Sequence, residues 1–544
     1  MPKVNLIVLQ IKNQPIDWWL GDVFSCLPET KALANCLTEA LPEADADACL
    51  IWDATLGLPD PDVIISLLSQ QVDVWHAGLA LGLGGKPEMI DFVSPTWMLN
   101  RDPDKSIEAT SWRLTLRACL IRSEVLRQLG GLRAEFESLE AAGLEMGLRF
   151  IRQGAFVRHV PELIPAQKTT VLVDLPLRDQ LLFLHYSYVK RWVNWAIFRA
   201  ACTRYANLTD LIKAWHEIRI QPAPSYPVPY VRNVVSQSVP ATYKVSVLIP
   251  TLNRYPYLRV LLDQLRDQTV PASEILVIDQ TPQDDRNLDI KDEFSDLPLH
   301  WYFLDQPGQC SSRNYGIQKA KGEFILFLDD DIEIQTDLIE KHLHSIECFR
   351  NNVSNGVVVE KVRAGVPAEF TILRVSNVFP AGNTLIRRSV LKKIGVFDLA
   401  YDRGQRADHD LGMRLYINGE LMVLDPSITI LHHHASTGGL REHKARVDTY
   451  AASRSRLFKQ ILPGISDIYL ARRYYTTRQV REKLWIDYLG TFSVRGSVLK
   501  RLLKGLIAVF SLPRNIYLVK KREKIANRML EEYPRIPNLS GEDI

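Results

Sequence analysis

The chain has 544 residues, 46% hydrophobic and 24% charged, an ordinary globular composition with room for two or three cored domains. Its formal net charge of +3 is close to neutral, and no nucleic-acid-binding motif accompanies the basic charge it does carry, which argues against a nucleic-acid partner. Seven cysteines without a CxxC pair exclude a disulfide framework or a zinc site, and point to reduced, buried thiols in a cytoplasmic protein.

The first ten residues carry too short an apolar run for a signal peptide and read as a strand. Residues 1–165 alternate strand-like and helix-like segments. Within 166–243, Asp179 to Arg204 repeats apolar positions at three and four, which predicts helix. Pro222, Pro224, Pro227, Pro229 and Pro240 then forbid helix interior and predict an extended linker. Residues 244–435 form a second α/β block, and 436–544 are mostly helical and basic. From Ala471 to Arg522 there are thirteen Lys/Arg against two Asp/Glu. No run approaches the roughly eighteen apolar residues of a membrane span, the longest late candidate being Gly505–Leu512 between Lys504 and Arg514.

The two α/β blocks repeat one another. Leu120–Pro161 aligns without a gap on Leu385–Pro426 at an offset of 265, with eleven of 42 positions identical. Average composition would give about two or three. The differences fall on acids. Asp329-Asp330-Asp331 corresponds to Asp53-Ala54-Thr55, Asp408 to Gly143, and Asp410 to Glu145. The first block also has a shorter stretch between its opening strand and Asp53 than the second has before Asp329. It reads as a degenerate copy that kept the fold and lost the chemistry.

In the second block, Lys244–Ile249 is a strand ending in a proline-containing loop, followed by an amphipathic helix through Leu258, Leu261, Leu262 and Leu265. Glu274–Asp279 is a second strand ending in an acid. Gln309–Gly316 opens a helix, with a serine available as N-cap. Phe324–Leu328 is an apolar strand running into Asp329-Asp330-Asp331. Alternating strands and helices predict a doubly wound sheet whose strand ends converge, bringing Thr251, Asp279 and the acidic triplet together. Three adjacent carboxylates repel one another unless a positive group sits among them, and a hard divalent cation bound to phosphates fits. A solvated acidic turn and helix-capping acids are the plainer alternatives.

The ordered motifs Ile249-Pro-Thr-Leu-Asn-Arg, Val277-Ile-Asp, Ser312-Arg-Asn-Tyr-Gly, Phe327-Leu-Asp-Asp-Asp, Gly382-Asn-Thr-Leu-Ile-Arg-Arg and Ala407-Asp-His-Asp-Leu-Gly-Met-Arg resemble family 2 glycosyltransferases of the GT-A fold. The resemblance covers about residues 244–435. It implies an inverting transfer from a nucleoside-diphosphate sugar to a saccharide or lipid-linked acceptor, with Mn2+ or Mg2+ as cofactor. It further implies that Asp331 and His432 bind the metal, with Asp329 at the metal or ribose. Pro250, Thr251, Asn253, Arg254, Asp279, Arg313 and Asp330 would line the donor cleft, Asp279 accepting from the base. Asp408, or else Asp410, would be the general base. Two departures stand out: Ala407 replaces the usual Glu, and Gln280-Thr-Pro replaces the usual turn after Asp279.

The basic C-terminal region mixes charge with apolar residues, and a segment such as Val494–Leu512 predicts an amphipathic helix against a membrane. That would place the protein at the inner face of a membrane; a helix packed on the catalytic block is the alternative. Two other functions compete: a non-catalytic nucleotide-sugar scaffold, and a nucleotidyltransferase. The latter would want a glycine-rich basic loop where this chain has Pro-Thr-Leu-Asn-Arg.

Overall fold

The computed structural model describes residues 2–10, 19–40, 46–85, 88–165, 173–222, 228–234, 239–240, 242–361, 365–435, 438–439 and 456–539. Parts of the proline-rich linker and of the C-terminal region therefore lie outside the described residues.

Two mixed α/β sheets organise the chain. The first uses β1 (Val4–Leu9), β2 (Val23–Cys26), β3 (Ala48–Asp53), β4 (Val74–His76), β5 (Ala109–Thr110), β6 (Ala118–Arg122) and β7 (Val157–His159), in the order β2-β1-β3-β6-β4-β7-β5. The second uses β8 (Val245–Thr251), β9 (Glu274–Asp279), β10 (Leu299–Phe303), β11 (Phe324–Leu328), β12 (Ile332–Ile334), β13 (Val353–Glu360), β14 (Arg374–Val375), β15 (Asn383–Arg387) and β16 (Met422–His432). Its order is β10-β9-β8-β11-β15-β13-β16-β12, with β14 also pairing β16. Without β10 and β12, the second order and its strand directions match the first, with β9 standing for β2 and β14 for β5. Register agrees as well. Ala109 pairs with His159 and Arg374 with Leu424, each partner shifted by the same 265 residues.

The strands at the centre of each sheet are apolar because helices cover both faces. Every residue of β11, Phe324-Ile-Leu-Phe-Leu, is buried. Pairings such as β11 against β15 are antiparallel, so the sheet is mixed rather than wholly parallel.

The halves meet with matching surfaces. Gly154 and Gly419 are equivalent at the offset of 265 and both follow a helix with positive φ, +99° and +85°. A side chain on Gly154 would meet the Leu373 carbonyl; one on Gly419 would collide with the Glu108 carbonyl. Leu373 and Glu108 are themselves equivalent, so each half presses the same glycine against the same backbone of the other. Arg158 adds a bond to the Gly419 carbonyl at 3.1 Å.

The predicted helix over Asp179–Arg204 is two helices, Leu177–Ser187 and Lys190–Cys202, followed by Leu208–Ile218. The C-terminal region adds helices Ile465–Tyr474, Thr477–Gly490 and Val498–Glu532. The last corrects the expectation of a short apolar run. It continues through Pro513 for 35 residues, and its length and composition would suffice to cross a membrane. A buried pair, Arg199 with Glu482 at 2.8 Å, ties these helices to the first half.

Candidate functional site

The site lies at the carboxyl ends of β8, β9 and β11. Parallel pairing of β8 with β9 sets Thr251 beside Asp279, and pairing of β8 with β11 brings the acidic triplet next to them. The triplet is not bare. Asp329, with a side chain 36% exposed, accepts from Arg313 at 2.8 Å. Asp330 is buried and accepts from Thr251 Oγ1 at 2.8 Å and Arg254 at 2.9 Å. Burial pushes its carboxyl up to about 6, against the pull of Arg254. Asp331 is also buried and takes Arg254 at 3.1 Å, His432 Nε2 at 3.3 Å and the Ala435 N–H at 2.9 Å. Burial would raise Asp331, but the His432 bond and the Arg254 charge outweigh it and hold the carboxyl well below the usual range.

His432 ends β16, and antiparallel pairing with β12 carries it back beside the triplet, opposite Ile332. His434 shares its face, the two rings 4.2 Å apart, while His433 turns away to Glu333. The strand ends at His432 and His434 has a left-handed φ of +54°, so a turn, not strand alternation, brings the two rings together. Glu360 joins them from β13, where it pairs in register with His432. Donor atoms of Glu360, His432 and His434 all lie within 4.8 Å of one another. Together with Asp331 they offer carboxylate oxygens and imidazole nitrogens, a donor set that fits Mn2+ better than the all-oxygen preference of Mg2+. Sequence reasoning missed Glu360, because only the pairing of β13 with β16 brings it there.

Three expectations change. Asp279, expected to accept from a base, is wholly buried and already accepts from Tyr255 Oη at 2.7 Å, Trp301 Nε1 at 3.1 Å and the Thr281 N–H at 2.9 Å. Its carboxylate therefore fixes the turn that shapes the cleft. The helix Gln309–Lys319 is not capped by its own serine. Its N-terminal N–H groups at Cys310 and Ser311 both reach Asp402 Oδ1 at 2.8 Å. Asp410 is wholly buried, accepting from Arg414 at 3.0 Å and Tyr474 Oη at 2.6 Å.

The first half explains Asp410. Its counterpart Glu145 pairs with Arg149 at 3.0 Å, and Arg149 bonds the carbonyls of Leu129, Gly130 and Gly131. Arg414 likewise bonds the carbonyls of Ile394, Gly395 and Val396. An ion pair built the same way in both halves, including the one without the acidic triplet, holds a helix to a turn. Asp410→Asn is expected to cost about 3–5 kcal/mol, read as a lowered melting midpoint, because it leaves Arg414 buried without its counter-charge.

Asp408 is different. It sits in the first turn of the helix Ala407–Ile417 and is only part-buried. Burial pushes its carboxyl up to about 6, with Arg313 pulling down and Asp329 pushing up. Arg313 thus bonds Asp329 and acts by charge on Asp408, whose carboxylate accepts from the Ala381 backbone, next to Gly382. Pro250 and Thr251 end β8, and Asn253 adopts a left-handed φ of +56° as its N–H reaches Thr281 Oγ1 at 3.1 Å. That turn delivers Arg254 to the triplet.

The equivalent place in the first half is closed. Arg117 occupies the position of Gly382 and donates to Asp53 at 2.6 Å and Glu140 at 2.8 Å. Gly382 has no side chain there; a Cβ would stand 2.6 Å from Asp329 Oδ2. Glycine is what keeps Asp329 open to the cleft.

Residues 246–395 match the family model described as Glycosyl transferase family 2. The chain is 34% identical over 106 residues to the putative glycosyltransferase EpsH of Bacillus subtilis, covering 19% of this chain and 30% of that protein. It is 30% identical over 121 residues to the GalNAc(5)-diNAcBac-PP-undecaprenol beta-1,3-glucosyltransferase of Campylobacter jejuni, covering 22% and 39%. It is 26% identical over 188 residues to the poly(ribitol-phosphate) beta-N-acetylglucosaminyltransferase TarS of Staphylococcus aureus, covering 32% and 33%. The chain thus spans well under half the length of these three relatives. Among solved structures, S. aureus TarS 1–349 in complex with UDP-GlcNAc superposes with a TM-score of 0.35 at 18% identity, over 54% of this chain and 91% of that one. The second α/β block resembles family 2 glycosyltransferases, as its ordered motifs imply.

Proposed function

We propose that the second half transfers a sugar, with inversion, from a nucleoside-diphosphate sugar to an acceptor hydroxyl. The acceptor is a saccharide or lipid-linked glycan of the cell surface, met at the cytoplasmic face of the membrane. The observation that carries this reading is Arg313, which bonds Asp329 and acts by charge on Asp408, with Gly382 leaving no side chain against Asp329. The named activities of the relatives, sugar transfer to a pyrophosphate-linked lipid glycan and to poly(ribitol-phosphate), support the acceptor class.

In this reading Thr251, Asn253 and Arg254 line the donor side, and Arg313 and Asp329 hold the ribose and diphosphate. Asp331 and His432 hold Mn2+ or Mg2+, with Glu360 and His434 at hand. A bound ion would neutralise charge developing on the departing diphosphate. Asp408 takes the proton of the attacking hydroxyl as that oxygen forms the new bond to the anomeric carbon. The sugar–phosphate bond breaks on the opposite face, so the anomeric centre inverts without a covalent intermediate.

The test is a hydrolysis screen of UDP-, GDP- and dTDP-sugars with and without Mn2+. Slow, metal-dependent release of one nucleoside diphosphate is the expected outcome and names the donor. No release from any donor, together with no Mn2+-dependent nucleotide binding by calorimetry, would shift the reading to a non-catalytic scaffold.

A further inference from the structure

The helix Val498–Glu532 buries Val519 and Ala526 in its later part, but its first part, up to Asn515, is packed inside out. Between Val498 and Phe510 all exposed positions but Arg501 are apolar: Val498, Leu499, Leu502, Leu503, Leu506, Val509 and Phe510, the last 83% exposed. At ~100° per residue these seven fall within an arc of about 140°. The opposite side, which faces the protein, carries polar residues beside the small Ala508. Lys504 is wholly buried and donates to the carbonyls of Arg456 and Lys459 at 3.2 and 2.6 Å. Ser511 and Asn515 both bond the side chain of Gln460. Arg522 reaches the carbonyls of Leu462 and Pro463. A water-soluble surface helix does the reverse, turning its apolar stripe inward.

Charge says what meets the apolar face. From Val498 to Arg522 there are seven Lys/Arg and no Asp/Glu. Arg501 and Arg514 are exposed and lie to either side of the apolar arc. Apolar side chains between flanking cations suit an anionic lipid surface, the cations meeting headgroups while the apolar arc enters the acyl boundary. The helix cannot be surrounded by lipid, because its polar side is bonded to residues 456–463 along several turns.

We propose that Val498–Phe510 lies in the plane of an anionic bilayer surface, with the rest of the chain held on the cytoplasmic side. This goes beyond the transfer reaction and does not rest on it. A chain inactive toward every donor would still bind vesicles, and a soluble active one would not.

The full-length protein is sedimented with phosphatidylcholine vesicles with and without phosphatidylglycerol. Binding to the anionic vesicles, weakened by salt, is expected. Replacing Leu502, Leu506 and Phe510 together by serine should lower that binding by more than about tenfold, with an unchanged melting midpoint since all three are exposed. Binding by this variant equal to wild type, or no vesicle binding by wild type, overturns the proposal. Resistance of the cell-bound protein to alkaline carbonate extraction would mean a crossing helix and overturns it too. So would a wild-type dimer that the variant splits without any vesicle binding, which would assign the face to a second copy.

Discussion

Asp408→Asn is expected to lower kcat by about 10²- to 10⁴-fold while leaving donor affinity nearly unchanged. The substitution keeps size and hydrogen bonding but removes the only function a base needs, a lone pair that takes a proton. Its position supports the split between kcat and binding. Asp408 touches the donor side only by charge, through Arg313 and Asp329. The pH profile gives a second readout. A base works deprotonated, and burial lifts this carboxyl to about 6. Wild-type kcat should therefore rise with pH through about 6 and then level off. Below that value Asp408 is protonated and idle. The asparagine variant should lose this limb. Wild-type kcat in Asp408→Asn would remove Asp408 from the mechanism, and the same loss in Asp410→Asn at full thermal stability would transfer the role there.

Asp331→Ala is expected to weaken Mn2+-dependent nucleotide binding by more than about 100-fold, since even groups that only orient ligands cost 10- to 100-fold. Asp331 is the acid of the triplet that stays charged despite burial, because His432 and Arg254 both favour its ionised form. Its neighbour Asp330 belongs to Thr251 and Arg254, and Asp329 to Arg313. Calorimetric titration with Mn2+ and each nucleoside diphosphate reads the effect directly. Asp331→Asn, which keeps an acceptor for the Ala435 N–H, separates a lost ligand from a loosened loop. Nucleotide affinity that stays the same in both variants, with and without Mn2+, would end the assignment of the metal to Asp331.

Much of this was legible in the sequence because local pattern and tertiary demand coincide. The run Phe324–Leu328 has to be buried on both faces, and acids directly after it have to emerge at a sheet edge. The repeat was legible because helix-to-turn contacts such as Arg414 on the Ile394–Val396 carbonyls need the same residue types twice. What was not legible depends on pairing between distant segments. Glu360 becomes a neighbour of His432 only through β13 and β16, seventy-two residues apart in sequence. Asp402 caps a helix that begins almost a hundred residues earlier. Asp279 looked available because its three donors come from separate elements. The C-terminal helix was legible only in part: the sequence displays amphipathicity but neither the full 35-residue length nor which side faces inward.

Arg117 and Gly143 together leave the first half little room for the acids of the second. Restoring acids at Ala54 and Thr55 would rebuild the triplet, yet Arg117 would still neutralise Asp53. An acid at Gly143, the counterpart of Asp408, would place its Cβ 2.5 Å from the Leu114 carbonyl. The backbone there has closed over the space a base would need. Each half thus limits its neighbour: a side chain at Gly154 or at Gly419 would push on the backbone of the other half, so neither surface can change alone.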